Sequence, residues 1–168
     1  MIVAIDLAVG DPAPNFDLTS TENVVLMLRD EVPRGQVLLY FFDGVPGATE
    51  QLAELARAAA ELAGKGIRIL GVSQASLEDL AAVQQQNKLP FPLLHDDREL
   101  SRLYGAGSAE GPVAVLVDHD QRVAMVERQP RDLSGSVSSF LAERGKRRDS
   151  TANYPKSVIN RLVDRWVS

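Results

Sequence analysis

A chain of 168 residues, 45% hydrophobic and 24% charged, is long enough for one domain with a buried core. It holds no cysteine, which excludes disulfides, thiolate metal sites and thiol nucleophiles together. No apolar run reaches the roughly eighteen residues that a membrane-spanning helix needs. The net charge of −5 hides an asymmetry: residues 144–168 carry seven basic and two acidic residues, which leaves the rest at −10.

The opening MIVAIDLAVGDPAP has no basic leader and carries Asp6 and Asp11. No signal peptide is expected from it, and a cytoplasmic location is the default. Val9 to Phe16 is rich in turn residues, and Asn23 to Leu28 reads as a short strand or a helical turn. Val37 to Phe42 (VLLYFF) is continuously apolar, as befits a strand buried on both faces. The turn Asp43-Gly44-Val45-Pro46-Gly47 follows. From Ala48 to Leu62, Leu52, Leu55, Ala56, Ala59 and Leu62 recur at helical spacing, with Glu50, Glu54, Arg57 and Glu61 opposite.

Gly64 and Gly66 stop this helix, and Ile67 to Val72 is the next strand. Ser76–Gln86 is a second helix, with Ser76 as N-cap and Asp79 completing a weak capping box. Pro90 and Pro92 hold Leu89–Leu94 extended, and Asp96 or Asp97 caps a short helix through Tyr104. Val113–Val117 is an apolar strand, Asp118-His119-Asp120-Gln121 a hairpin turn, and Arg122–Arg128 its return strand. Leu133–Glu143 is a third long helix, capped by Asp132. The order β-α-β-α-β-β-α contains the long crossovers that parallel strands need.

The last segment differs in kind. GKRRDSTAN (145–153) is polar, and Pro155 suits the first turn of a helix. In that helix Val158, Ile159, Leu162, Val163 and Trp166 form one apolar stripe, with Lys156, Arg161, Asp164 and Arg165 off it. So short a helix is marginal alone in water, so its stripe must dock on its own body, on a second copy or on another protein.

Few side chains suggest chemistry. His95 beside Asp96 and Asp97 has the composition of a metal site, but a helix cap and a solvated turn account for it. His119 between Asp118 and Asp120 reads as a turn whose carboxylates bond their own backbone. The sequence has no phosphate loop, no Gly-x-Gly-x-x-Gly, no Gly-x-Ser-x-Gly elbow and no aromatic-studded basic strand. No metal, cofactor or nucleic acid is implied.

The strings VGDPAPNFDL, GIRILGVSQASLEDLAAV and LPFPLLHDDRELSRLYGAG, in this order and spacing, resemble the peroxiredoxins of the alkyl-hydroperoxide-reductase/thiol-specific-antioxidant family, bacterioferritin-comigratory type. The resemblance covers about residues 9–143. It implies an α/β, three-layer thioredoxin-like fold, a central mixed sheet with helices on both faces, over residues 1–143. Residues 144–168 would then be a basic linker and an amphipathic helix.

The resemblance also locates a vestigial pocket: Val45, Pro46, Gly47, Ala48 and Thr49, with Pro112 opposite. Ala48 stands where the family's peroxide-reducing cysteine would be, Val45 at its threonine and Phe41 at its proline. A gap of a residue or two would put Asp43 near the proline instead. Gln51 is nearest the family's following acid. Gly107-Ser108-Ala109-Glu110-Gly111-Pro112 brings no arginine where the family has one. Gly111-Pro112-Val113 resembles the thioredoxin turn with a cis proline. The Ala48–Thr49 end of the helix could hold a small anion, or Thr49 could merely cap it. The implied function is a non-catalytic structural or protein-binding subunit, meeting a protein partner or a second copy through the C-terminal helix. The alternative is a thiol peroxidase present as a cysteine-free variant. A weaker possibility is a new enzyme built around Asp43 or Glu110.

Overall fold

Seven consecutive buried residues make the central strand of this molecule, β3 (Gln36–Phe42). In the computed structural model, which describes residues 7–42, 45–104, 112–128, 135–137 and 139–142 and only the backbone of residues 45–49, β3 pairs in parallel with β4 (Ile67–Ser73) and antiparallel with β6 (Val113–Val117). β5 (Leu93–His95) lies outside β4 in parallel, and β7 (Val123–Arg128) outside β6 antiparallel. The five-stranded order is β5-β4-β3-β6-β7, a mixed sheet.

Strand alternation assigns the two faces. Val37, Leu39 and Phe41 belong to one cluster with Phe16, Leu28, Val32, Leu100 and Tyr104, contributed by the N-terminal segment, α1 (Leu28–Glu31), the turn after it and α4 (Glu99–Leu103). Leu38, Tyr40 and Phe42 face the other way, where the Tyr40 hydroxyl donates to Gln51 Oε1 of α2 (Val45–Gly64). α2 packs on β4 and on α3 (Leu77–Asn87), which reaches β5. Both faces are therefore covered, as the three-layer expectation requires. Each large apolar side chain so buried contributes about 1.5–3 kcal/mol.

The edges hold what the sequence did not resolve. Asn23–Leu28 is both a strand and a helix start: β2 (Val25–Met27) pairs antiparallel with β1 (Asp17–Thr19), and α1 begins at Leu28. The proline-held stretch 89–94 ends as a strand, because its backbone finds β4 on one side and Thr21 on the other. Thr21 N–H donates to the Leu93 carbonyl (2.9 Å), Leu93 N–H to Thr21 Oγ1 (3.2 Å), and the Thr21 hydroxyl to Gln84 Oε1 of α3. α3 carries the expected cap, with Asp79 N–H donating to Ser76 Oγ at 3.1 Å. α2 runs through Gly64, and Gly66 takes the left-handed conformation (φ 81°) that turns the chain into β4.

The chain divides into two units, Met1–Leu133 and Ser134–Ser168. In the second, residues 135–137 and 139–142 are helical, within the span of the expected third long helix. Asp132, the linker and the apolar stripe of the final helix lie outside the described residues. Among the described residues no helix is long and apolar enough to cross a membrane.

Candidate functional site

The pocket to which the family resemblance points lies at the step from β3 to α2. The helix starts three residues earlier than the sequence suggested, at Val45. Pro46 then takes the second helical position, where its fixed φ fits and its missing N–H costs nothing. Val45, Pro46 and Gly47 are thus helix, not turn. Ala48 is the fourth helical residue, past the amides of Val45 and Gly47 that the helix end leaves without an intrahelical carbonyl, Pro46 having none. Thr49 N–H is the first that can reach back to the Val45 carbonyl, so Thr49 is neither cap nor opening amide. That corrects the Ala48–Thr49 anion cradle: its backbone groups sit one turn too deep.

Antiparallel pairing of Phe41 with Val113 puts Pro112 beside the end of β3. The topology therefore brings Pro112 to the end of the sheet from which α2 departs. Pro112 is half-buried. No described peptide bond is cis, and the bond before Pro112 starts at Gly111, outside the described residues, as are Asp43 and Glu110.

The described side chains beside the end of β3 are aromatic. Phe41 is buried against Tyr104, ring centroids 5.0 Å apart, and supplies no polar group. The Tyr104 hydroxyl donates to the Pro14 carbonyl at 2.7 Å. Burial pushes both the Tyr40 and Tyr104 hydroxyls well above the ordinary tyrosine range, so both stay protonated.

The two histidine candidates resolve as structure. His95 Nδ1 lies 2.8 Å from the Ala75 carbonyl, which can only accept, so the ring proton sits on Nδ1. Asp96 is buried and receives Leu100 N–H (3.1 Å), Ser101 N–H (2.8 Å) and the Ser101 hydroxyl. It caps α4 from three residues ahead of the helix. At the β6–β7 turn, Asp118 Oδ1 accepts from His119 N–H (3.0 Å) and Asp120 Oδ1 from Arg122 N–H (3.1 Å), the self-bonding turn expected there. Among the described residues no three histidine, cysteine or acidic side chains gather around a possible metal.

Sequence reading missed a cleft of about 450 Å³ between β1, the end of β5 and α4. Phe16, Leu18, Leu77, Leu100 and Leu103 give it apolar walls; Asp17, Thr19, His95, Asp97 and Glu99 add polar groups. The available signal was the alternation Phe16-Asp17-Leu18-Thr19, a short strand pattern that starts where the turn-rich opening ends and was assigned no element.

The sequence signature of the AhpC/TSA family matches residues 9–126. "Putative peroxiredoxin bcp" of Coxiella burnetii is 33% identical over 104 residues, covering 60% of this chain and 68% of that one. The 1-Cys peroxiredoxin PER1 of Hordeum vulgare is 30% identical over 99 residues, covering 54% of this chain but only 45% of that protein. Among solved structures, PrxQ of Xylella fastidiosa, as a cysteine-to-serine variant, superposes with a TM-score of 0.75 at 20% identity, covering 84% of this chain and 99% of that one. That likeness is one of fold.

Proposed function

Because this chain belongs to the AhpC/TSA family and its sequence holds no cysteine, we propose that it acts by binding and not by reducing peroxide. The observation that carries this reading is Ala48 in the first turn of α2. A methyl group cannot attack peroxide oxygen, and no other thiolate exists in the sequence to replace it. Two further substitutions support it. Valine at 45 has no hydroxyl to orient a peroxide. Residues 107–112 supply no cation to favour a thiolate or to stabilise charge as the O–O bond breaks. In this reading the chain is a structural or protein-binding subunit, and its binding element is the stripe Val158, Ile159, Leu162, Val163 and Trp166.

A second reading is a thiol peroxidase present as a cysteine-free variant, and the peroxiredoxin names of its relatives favour it. It accounts for Ala48 and leaves Val45 and the missing arginine unexplained.

Two measurements test the proposal. Hydrogen peroxide and cumene hydroperoxide, supplied with dithiothreitol, should be consumed no faster than in buffer. Turnover that survives repurification refutes the non-catalytic reading. Trp166→Ala in the full chain should change the solution mass, or the set of proteins captured, at unchanged far-ultraviolet ellipticity. Identical mass and partners refute the role given to the stripe.

A further inference from the structure

The sequence holds three methionines and no cysteine, so its thioethers are the groups most open to two-electron oxidation. One of them carries a hydrogen-bond donor on its sulfur. Met27 ends β2, and Arg29, two residues on in α1, donates from Nη2 to the Met27 sulfur at 3.7 Å.

The β1–β2 hairpin places this pair at the surface. Leu18 and Leu26 pack against the core cluster, so strand alternation sends their neighbours to the other face. There Met27 stands opposite Asp17, and Val25 opposite Thr19. Asp17, Thr19 and Val25 are exposed, and Met27 is half-buried. Arg29 is exposed too, and it makes no ion pair among the described residues, so its charge is not committed to a carboxylate. The other described methionine, Met125 on β7, is also half-buried, but no described residue donates to its sulfur.

The chemistry of the pair suits a hydroperoxide. A thioether sulfur is a weak acceptor with two lone pairs, and one N–H engages only one of them. The other stays free to attack. As it does, negative charge develops on the departing peroxide oxygen, and a fixed donor beside the reacting atom stabilises such charge. A guanidinium has five N–H groups in one plane, so donors remain beyond the one spent on sulfur.

We propose that Met27 is a site of oxidation by hydroperoxides, assisted by Arg29. A sulfur lone pair bonds to the near oxygen of the peroxide, and the O–O bond breaks. Sulfur gives up two electrons and the leaving oxygen takes them. That oxygen departs as hydroxide, collects the proton released from the sulfur-bound oxygen, and becomes water. The sulfoxide oxygen then accepts from Arg29, a charge-assisted bond in place of a weak one to sulfur. The step takes up one oxygen atom per chain and does not turn over, because the chain has no thiol to return the sulfoxide to the thioether. It is therefore separate from the non-catalytic reading: bulk peroxide consumption tests that reading, and the fate of one sulfur tests this site.

The full chain is exposed to excess hydrogen peroxide, sampled over time and cut at its glutamates, which leaves Met27 in residues 23–31 and Met125 in residues 111–127. Mass spectrometry follows the gain of one oxygen in each fragment. Met27 should be oxidised ahead of Met125 in the folded chain, and the two should react alike in urea. The decisive variant is Arg29→Gln. It uncovers the sulfur, so accessibility alone would speed oxidation. The proposal requires the rate at Met27 to fall about fivefold, the value of one net hydrogen bond, with Met125 unchanged. Arg29→Lys should restore part of the rate. The Arg29 backbone N–H keeps its bond to Asn15 Oδ1 in either variant, so ellipticity should not change. Should Arg29→Gln prove unfolded, the order of Met27 and Met125 in the folded parent decides alone. An equal or faster rate at Met27 in Arg29→Gln, or a folded parent in which Met27 does not lead Met125, overturns the proposal.

Discussion

Replacing Asp96 with alanine should cost far more than its place in a polar, acidic stretch suggests. The side chain is 1% exposed and accepts three hydrogen bonds, from the Leu100 and Ser101 amides and the Ser101 hydroxyl. α4 has no other side-chain cap; its first turn opens on Arg98, held at φ 87° with no capping bond of its own. A bond to a charged acceptor is worth about 1.5–3 kcal/mol. The adjacent cleft lets water recover part of that, and a net loss of about 3–4 kcal/mol remains. At roughly 2–4 °C per kcal/mol for a chain of this size, the melting temperature should fall by about 6–16 °C. Asp96→Asn keeps one acceptor but turns an amide nitrogen toward a donor, so it should recover only part of the loss. Equilibrium urea unfolding followed by circular dichroism measures each variant. Glu61→Ala serves as the surface control, because the Lys65–Glu61 pair is exposed on both sides and should count for under about 0.5 kcal/mol. If Asp96→Ala unfolds within that margin of the parent, the carboxylate is not what anchors α4.

Other expectations are briefer. Gly35→Ala should cost about 2–3 kcal/mol, because a Cβ there would lie 2.5 Å from the Gly66 carbonyl oxygen at φ 155°. Gly64→Ala meets nothing within 4 Å and should be neutral or stabilise by up to about 1 kcal/mol, which thermal unfolding would show. In alkaline titration Tyr40 and Tyr104 should resist ionisation at pH 10, where free tyrosine titrates. Their folded pKa lies above the unfolded one, so the stability they lend is full below pH 10 and declines as pH rises beyond it; phenolate absorbance developing in the folded protein near pH 10 would contradict this. Ala48→Cys should yield a thiol near the ordinary cysteine value of about 8.5 and slow peroxide reduction, since no arginine accompanies it; an alkylation profile with a midpoint below pH 7 would show a cation not accounted for.

What the sequence made legible is what local periodicity controls. The all-apolar run 37–42 announces a strand covered on both sides, and every one of its residues is buried. Leu52, Leu55 and Leu62 mark the buried face of α2, and Ser76 with Asp79 marks the start of α3. Two of the misses share one cause, backbone partners supplied by another segment. β1 is three residues long, its alternation too brief to stand out from the opening beside it, and it exists because β2 pairs with it. Leu93–His95 becomes a strand only because β4 offers an open side. The start of α2 was misplaced because Pro46 and Gly47 read locally as a turn, although proline is equally at home in the first turn of a helix.

The same distinction explains how a fold of this family stands without a cysteine. The candidate site lies where α2 leaves the end of β3, and the hydrophobic cluster around Val37, Leu39 and Phe41 is built from other positions. Phe41, at the end of β3, adds to that cluster by packing on Tyr104. An alanine at position 48 favours the helix, being the best helix former. Nothing in the packing of β3, β4 and β6 calls for a thiol. The peroxidase function depends on a few groups at the margin of the sheet, and their absence leaves the load of folding on residues that are all still present. That separation makes the proposed function testable: chemistry can be added back at Ala48 without rebuilding the core.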